Sequence, residues 1–171
     1  MPPGGDIIVL GLGNLLKSDD GIGIHAIQCL QQDARTPSSI RLVDGGTLGL
    51  ELLQYAWNCS HLLVIDAVDM DASPGTMVSL NSEDFGRLTG GATAHDLGFA
   101  DLLAAMKLVG AEPPIVKLIG VQPETLKLGT ELSQPVAEVL PYLLDEAISQ
   151  VGEWLKDETI ATCSLNQKGI W

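Results

Sequence analysis

The chain alternates between short apolar runs and segments in which apolar residues recur at helical spacing. The apolar runs predict five strands, and the helical spacing predicts four helices between and after them. We place the strands at residues 7–10, 40–43, 61–68, 76–80 and 115–121, and the helices at 21–34, 47–56, 97–109 and 133–155. Strands that alternate with helices in this way are typical of a mostly parallel sheet.

The strongest strand pattern covers residues 61–68, HLLVIDAV, which are almost continuously apolar. Such a run is typical of a parallel strand that is covered on both faces. We therefore predict an α/β fold, a three-layer α/β/α sandwich around a twisted sheet of about five strands. The 171 residues form one domain, with an expected flexible tail at 159–171. Pro141 lies inside the last helix and is expected to kink it or split it in two.

Charge and hydropathy exclude several classes of partner. The net charge is −13, with nine basic residues against 22 acidic ones, so binding to nucleic acid is not expected. No apolar run approaches the roughly 20 residues that span a bilayer, so no membrane partner is expected. The first residues, MPPGGD, lack the basic region and apolar core of a signal peptide, which indicates a cytoplasmic protein.

The three cysteines, Cys29, Cys59 and Cys163, are widely separated and form no CxxC pair. A structural zinc site with thiolate ligands is therefore not expected. We expect three free thiols, with Cys29 and Cys59 on helices as small core residues.

Glycines follow the first strand at Gly11 and Gly13. A strand, glycines and then a helix resemble the start of a dinucleotide-binding fold, but the third glycine of that fingerprint would fall at Leu16. No P-loop motif is present either. The simpler interpretation is that the glycines let the chain turn sharply off the strand.

Three carboxylates are candidates for chemistry at the carboxyl edge of the sheet. Asp19 and Asp20 are adjacent, so one can cap the helix that begins near Gly21 while the other points over the sheet edge. Asp66 interrupts an apolar run, where an unpartnered buried carboxylate would cost several kcal/mol. It serves either as a buried hydrogen-bond acceptor or in binding and catalysis.

His95 lies in a long loop rich in Gly, Ser and Thr, which can deliver its imidazole to the same edge. His25 is predicted in the first helix, and His61 at the start of the third strand, at the opposite edge. One imidazole with two carboxylates suits nickel, zinc or non-haem iron. We therefore predict that Asp20, Asp66 and His95 converge on a transition metal, although a loop histidine is more often simply solvated.

Six stretches in unbroken order resemble the hydrogenase maturation proteases, over roughly residues 6–155. They are GLGNLLKSDDGIG at 11–23, DGGTLGLELL at 44–53, HLLVIDAVD at 61–69, PGTM at 74–77, HDLGFADLLAAMKLVG at 95–110 and IGVQPETL at 119–126. The family comprises endopeptidases that trim the C-terminal extension from the large subunit of NiFe hydrogenases. The resemblance implies an α/β/α sandwich and a large-subunit precursor as substrate.

The resemblance also implies how the substrate is recognised. The nickel already present in the precursor would be bound by Asp20, Asp66 and His95. No permanent cofactor is implied, although cadmium or zinc can substitute in the site. Some family members have Glu at the first position, so Asp20 shortens the reach but keeps the charge.

The segment Asp44, Gly45, Gly46 and Thr47 corresponds to the family's substrate-recognition segment. Asp20 and Asp66 are the implied catalytic residues. The general base remains open, with Asp20 and Asp44 as candidates. A monomer is expected, and the alternative function is a non-enzymatic nickel-binding or carrier protein of hydrogenase assembly that uses the same ligands.

Overall fold

The computed structural model describes residues 6–47, 51, 54, 59–87 and 115–167. Within these residues the chain forms five strands and two α-helices. They are, in chain order, β1 (Asp6–Leu12), α1 (Ile22–Gln32), β2 (Arg41–Gly46), β3 (Cys59–Ala67), β4 (Met77–Asn81), β5 (Ile115–Val121) and α2 (Gln134–Gln167). Short 3-10 helices cover Ser18–Gly21 and Ser82–Arg87.

The five strands form one sheet in the order β2-β1-β3-β5-β4. The first four strands in this order pair in parallel, and β4 pairs antiparallel with β5 at the edge. The predicted class, α/β with a mostly parallel sheet of about five strands, is confirmed. Parallel pairing matters for function because it brings the carboxyl ends of four strands to the same edge of the sheet.

One face of the sheet packs against both described helices. Inward side chains of β1 and β3, such as Val9 and Ile65, contact the apolar faces of the helices. From α1 these include Ile22 and Ile27, and from α2 they include Leu143. The spacing of the helical residues follows the 3.6-residue period, which explains why the sequence predicts both helices.

The opposite face of the sheet is also apolar and buried. It carries Ile8 and Leu10 of β1 and Leu62 and Val64 of β3, which alternate with the residues of the first face. The helices predicted at 47–56 and 97–109 lie outside the described residues apart from positions 47, 51 and 54.

The last helix differs from its prediction. α2 is not split at Pro141 and continues to Gln167, well beyond the predicted end at residue 155. Leu143, Ala147 and Val151 follow the proline and are buried in the core, so packing retains the helical path after it. The expected flexibility of residues 159–171 stays a prediction. No described helix combines the length and apolar character needed to cross a bilayer.

Candidate active site at the carboxyl edge of the sheet

Two glycines bring α1 close to the ends of the central strands. A Cβ on Gly11 would lie 2.2 Å from the carbonyl oxygen of Gly23, and a Cβ on Gly23 would lie 2.3 Å from that of Ile65. The backbone of α1 therefore contacts β1 and β3 directly. The glycines have the structural role of close approach, which accounts for them without a dinucleotide site.

Gly13 shapes the turn that carries Asp20. Its φ of +127° is accessible to glycine, and a Cβ there would lie 1.7 Å from the Asp20 carbonyl oxygen. The Asn14 N–H donates a hydrogen bond of 3.0 Å to Asp20 Oδ2. Asp20 is only 6% exposed, so its carboxylate has a defined position at the end of β1.

Asp66 lies near the carboxyl end of β3, the strand beside β1. It is 2% exposed, and the Ala67 N–H donates to its Oδ1 at 2.8 Å. Because side chains alternate along a strand, Asp66 shares its face with Leu62 and Val64. The structure thus brings the two buried carboxylates predicted as ligands, Asp20 and Asp66, to the ends of adjacent strands.

The segment that carries Asp44 reaches the same edge. Asp44 is exposed and opposes Gly11 in the register of β2 and β1. Its Oδ1 accepts a hydrogen bond from the Gly46 N–H at 3.0 Å, and the Gly46 carbonyl accepts one from the Gly13 N–H at 2.8 Å. The segment proposed for substrate recognition is therefore tied to the turn that positions Asp20. The strand continues through Gly46, within residues 44–47 where the sequence predicts its end.

His95 lies outside the described residues, so the three-ligand arrangement stays a prediction. Within the described part of the chain, no three His, Cys, Asp or Glu side chains are grouped so that they could hold a metal ion. His25 lies on α1 and His61 near the amino end of β3, as predicted. The His61 ring packs 4.8 Å from the Trp154 ring, which gives it a place in the core.

Asp19 has a role that the sequence analysis missed. It is fully buried, and its carboxylate accepts four hydrogen bonds from a loop more than 100 residues away in sequence. The donors are the N–H groups of Glu124 at 2.9 Å, Thr125 at 3.0 Å and Ser133 at 2.7 Å, and the Ser133 hydroxyl at 2.8 Å. Asp19 therefore fastens loop 124–133 beside the candidate site.

These contacts also set the ionisation of Asp19. Burial acts to raise its pKa, but the hydrogen bonds from Ser133, Thr125 and Glu124 outweigh burial and hold the pKa below its ordinary value of 3.8. The expectation that Asp19 or Asp20 caps α1 is wrong, because the structure records no side-chain cap hydrogen bond at that helix. Gly21 occupies the N-cap position, and Asp19 is directed to the distant loop instead.

Gln122 is a second residue that sequence reasoning missed. It is 7% exposed, and its Oε1 accepts hydrogen bonds from the N–H groups of Met70 at 2.7 Å and Ala72 at 3.3 Å. Its Nε2 donates to Asp69 at 3.2 Å. It therefore fixes the loop that leaves β3 just after Asp66. The sequence signal that could have identified Gln122 is its position directly after the apolar run of β5.

Cys29 and Cys59 are present as thiols and not in a disulfide. Cys29 is partly buried on α1, as predicted. Cys59 begins β3, so its predicted helical position is wrong. Burial, with a smaller contribution from the Asp6 charge, raises the pKa of the Cys59 thiol to about 11. The thiol is therefore protonated near neutral pH, and a protonated thiol is not an efficient ligand or nucleophile.

The chain is similar to several known proteins. The model of the HycI family, described as hydrogenase maturation protease, matches residues 24–150. Hydrogenase expression/formation protein HoxM of Azotobacter vinelandii is 38% identical over 151 residues, which cover 86% of this chain and 73% of the relative. Hydrogenase 2 maturation protease of Escherichia coli K12 is 36% identical over 149 residues, covering 86% of this chain and 91% of the relative.

Solved structures show the same fold. The hydrogenase maturating endopeptidase HybD from E. coli has a TM-score of 0.80 at 36% identity, covering 86% of this chain and 93% of that one. The NiFe hydrogenase maturation protease HybD from Thermococcus kodakarensis has a TM-score of 0.72 at 26% identity, covering 85% and 98%. The family match spans well over half of the chain. The chain belongs to the hydrogenase maturation protease family.

Proposed function

We propose that this protein is an endopeptidase that removes the C-terminal extension of a NiFe hydrogenase large-subunit precursor after nickel insertion. The observation that carries the proposal is the pair of buried carboxylates, Asp20 and Asp66, at the ends of adjacent parallel strands. Buried carboxylates at a sheet edge are costly unless they have partners, and they are suitable ligands for a divalent cation.

This arrangement supports the proposal that the substrate is recognised through its nickel. Asp20 and Asp66 are held by backbone N–H groups of Asn14 and Ala67, so their carboxylates have fixed positions. With His95, which the sequence predicts in a loop, they would supply one nitrogen and two oxygen donors. The nickel carried by the precursor then serves as a template that aligns one peptide bond, and as a Lewis acid for hydrolysis.

Asp44 is a carboxylate at this edge that is exposed to solvent. It therefore remains, with Asp20, a candidate for the general base that activates water. Gly45, Gly46 and Thr47 extend from it and are proposed to contact the precursor chain. In this proposal the protein has no resident cofactor, and cadmium or zinc substitutes for nickel in the purified protein. A cytoplasmic, monomeric protein stays a prediction.

The test is processing of a nickel-loaded large-subunit precursor, followed as a shortened band on a gel. We expect Asp66→Asn and Asp66→Ala to abolish processing while circular dichroism shows an intact fold. Asp71→Asn, at an exposed carboxylate in the following loop, is the control and should process normally. Wild-type processing rates in both Asp66 variants would refute the proposed role of this carboxylate.

The alternative, a nickel-binding or carrier protein without peptidase activity, makes a different prediction. It binds nickel through the same side chains but yields no shortened product from the precursor. Cadmium titration of wild-type protein against His95→Ala tests the third ligand separately. Equal affinity in the two proteins would remove His95 from the site.

A further inference from the structure

The two buried carboxylates of the candidate site lie on different backbone segments, so their separation has to be fixed by contacts between those segments. Asp66 lies in the last residues of β3, whereas Asp20 lies in the turn that follows β1. Pairing between β1 and β3 ends at Gly11 and Ile65, before either carboxylate. Groups that share one ligand must be held within about 0.5 Å of the required geometry. The sheet alone therefore does not fix the position of Asp20 relative to Asp66.

A segment that follows β5 is bound to the end of the strand that carries Asp66. We call residues 121–133 the bridging segment. The Val68 N–H donates to the Val121 carbonyl at 2.9 Å. The side chain of Gln122 accepts two hydrogen bonds from the backbone of the loop that follows β3. Gln122 therefore fixes the bridging segment to the backbone just after Asp66.

The same segment is bound to the turn that carries Asp20. The Asp19 carboxylate accepts four hydrogen bonds from the bridging segment, and the Asp19 N–H donates to the Thr125 carbonyl at 3.3 Å. The Ser18 N–H donates to the Gly129 carbonyl at 2.7 Å. Asp19 and Asp20 are consecutive in one short 3-10 helix. A movement of Asp19 therefore moves Asp20.

The topology of the sheet gives this link its importance. The sheet order places β3 between β1 and β5. The bridging segment starts directly after Gly120, which opposes Asp66 in the register of β5 and β3. Its hydrogen bonds to Asp19 then reach the turn after β1. The bridging segment thus connects the chain on both sides of β3, and displacing it would change the separation of the Asp20 and Asp66 carboxylates.

We propose that Asp19 and Gln122 are positioning residues, which together set the separation of the Asp20 and Asp66 carboxylates through the bridging segment. This inference rests on the proposed function, because it takes Asp20 and Asp66 as ligands of the nickel that the substrate carries. Both oxygens of Asp19 accept hydrogen bonds from the bridging segment, so Asp19 acts on the metal only through Asp20. Residues that orient metal ligands in this way typically change metal affinity 10- to 100-fold.

Titration of the full chain with nickel(II) ions alone, measured by calorimetry, tests the inference, because metal binding requires the ligands but no peptide hydrolysis. Gln122→Met removes the side-chain hydrogen bonds without changing charge. We expect the Kd for nickel to rise about 10-fold or more. Gln150→Met is the matched control, because Gln150 is 8% exposed against 7% for Gln122. Its Oε1 accepts a hydrogen bond from Lys117, which lies about 10 Å along β5 from the residue that opposes Asp66.

A double-mutant cycle tests whether the two positioning residues act through the same segment. Asp19→Asn should also raise the Kd for nickel about 10-fold or more. Combining it with Gln122→Met should raise the Kd by less than the product of the two single changes, because either variant already frees the bridging segment. Loss of the Asp19 charge alone would multiply with the effect of Gln122→Met. If Asp19→Asn does not fold, Ser133→Ala replaces it in the cycle, since it keeps the charge and removes one of the four hydrogen bonds.

The results separate the inference from the proposed function. A Kd that rises in Gln122→Met but not in Gln150→Met supports the inference even if wild-type protein cleaves no precursor, in which case the peptidase proposal fails separately. An unchanged Kd in Gln122→Met overturns the inference even if the precursor is processed normally. Equal rises in Gln122→Met and Gln150→Met also overturn it, because they show a general loss of structure. Effects that multiply in the double variant overturn the shared role, and absence of nickel binding in wild-type protein overturns the inference while precursor processing still decides the function.

Discussion

Replacing Asp19 by asparagine tests whether one buried carboxylate fastens loop 124–133. Asparagine has the same shape but one acceptor oxygen. If that oxygen takes the place of Oδ2, it still receives Glu124, Thr125 and the Ser133 hydroxyl, but the amide NH₂ then faces the Ser133 N–H. A buried N–H loses its acceptor, and three charge-assisted bonds become neutral ones. We expect a loss of about 2–4 kcal/mol in the free energy of unfolding.

The effect of Asp19→Asn should depend on pH. The pKa of Asp19 in the folded protein lies below its ordinary value of 3.8, so the ionised carboxylate stabilises the fold above about pH 4. That stabilisation is lost as the pH falls through the folded pKa. The difference between wild type and Asp19→Asn should therefore be constant between about pH 5 and 7 and shrink below about pH 4.

Urea unfolding followed by circular dichroism measures both effects. Asp145→Asn is the control, because Asp145 is 61% exposed and its ion pair with Arg35 lies on the surface. The control should change stability by less than about 1 kcal/mol. A loss under about 0.5 kcal/mol in Asp19→Asn, or a loss that persists undiminished in acid, would contradict the anchoring role.

Two further predictions concern backbone strain and thiol reactivity. Gly13→Ala should cost more than about 3 kcal/mol in thermal or urea unfolding, because its φ is +127° and the new Cβ would meet the Asp20 carbonyl at 1.7 Å. Gly152→Ala, which meets nothing within 4 Å on α2, should instead stabilise the protein by about 0.5–1 kcal/mol. Equal changes in unfolding free energy for Gly13→Ala and Gly152→Ala would contradict this reasoning. Since burial raises the pKa of Cys59 to about 11, Cys59→Ala should leave the native count of rapidly reacting thiols unchanged and remove one thiol after denaturation. Loss of a native reactive thiol would show that Cys59 is accessible.

The fold was largely predictable because its signals are local. The apolar runs of β1, β3 and β5 are long enough to identify buried strands, and the helical period of α1 is clear. Helix ends were less predictable. The burial of Leu143 and Ala147 after Pro141 depends on contacts with the sheet, and local propensity does not include those contacts.

The sequence by itself also determined which residue types could act at the site. Asp66 stands out because a carboxylate within an apolar strand is costly without a partner. The glycines around Asp20 and the DGGT segment mark sharp turns at strand ends. Since parallel strands share a carboxyl edge, these features predict a common site, and the structure places Asp20, Asp44 and Asp66 along that edge.

Only the tertiary structure distinguished Asp19 from Asp20. Adjacent aspartates look alike in sequence, but Asp19 accepts four hydrogen bonds from a loop 105 to 114 residues away, while Asp20 is directed to the turn beside it. The same long-range pairing brings Leu16 next to Leu128. The physical reason is that burial and hydrogen-bond donors are set by which segments meet in space, and local spacing carries no record of partners so distant.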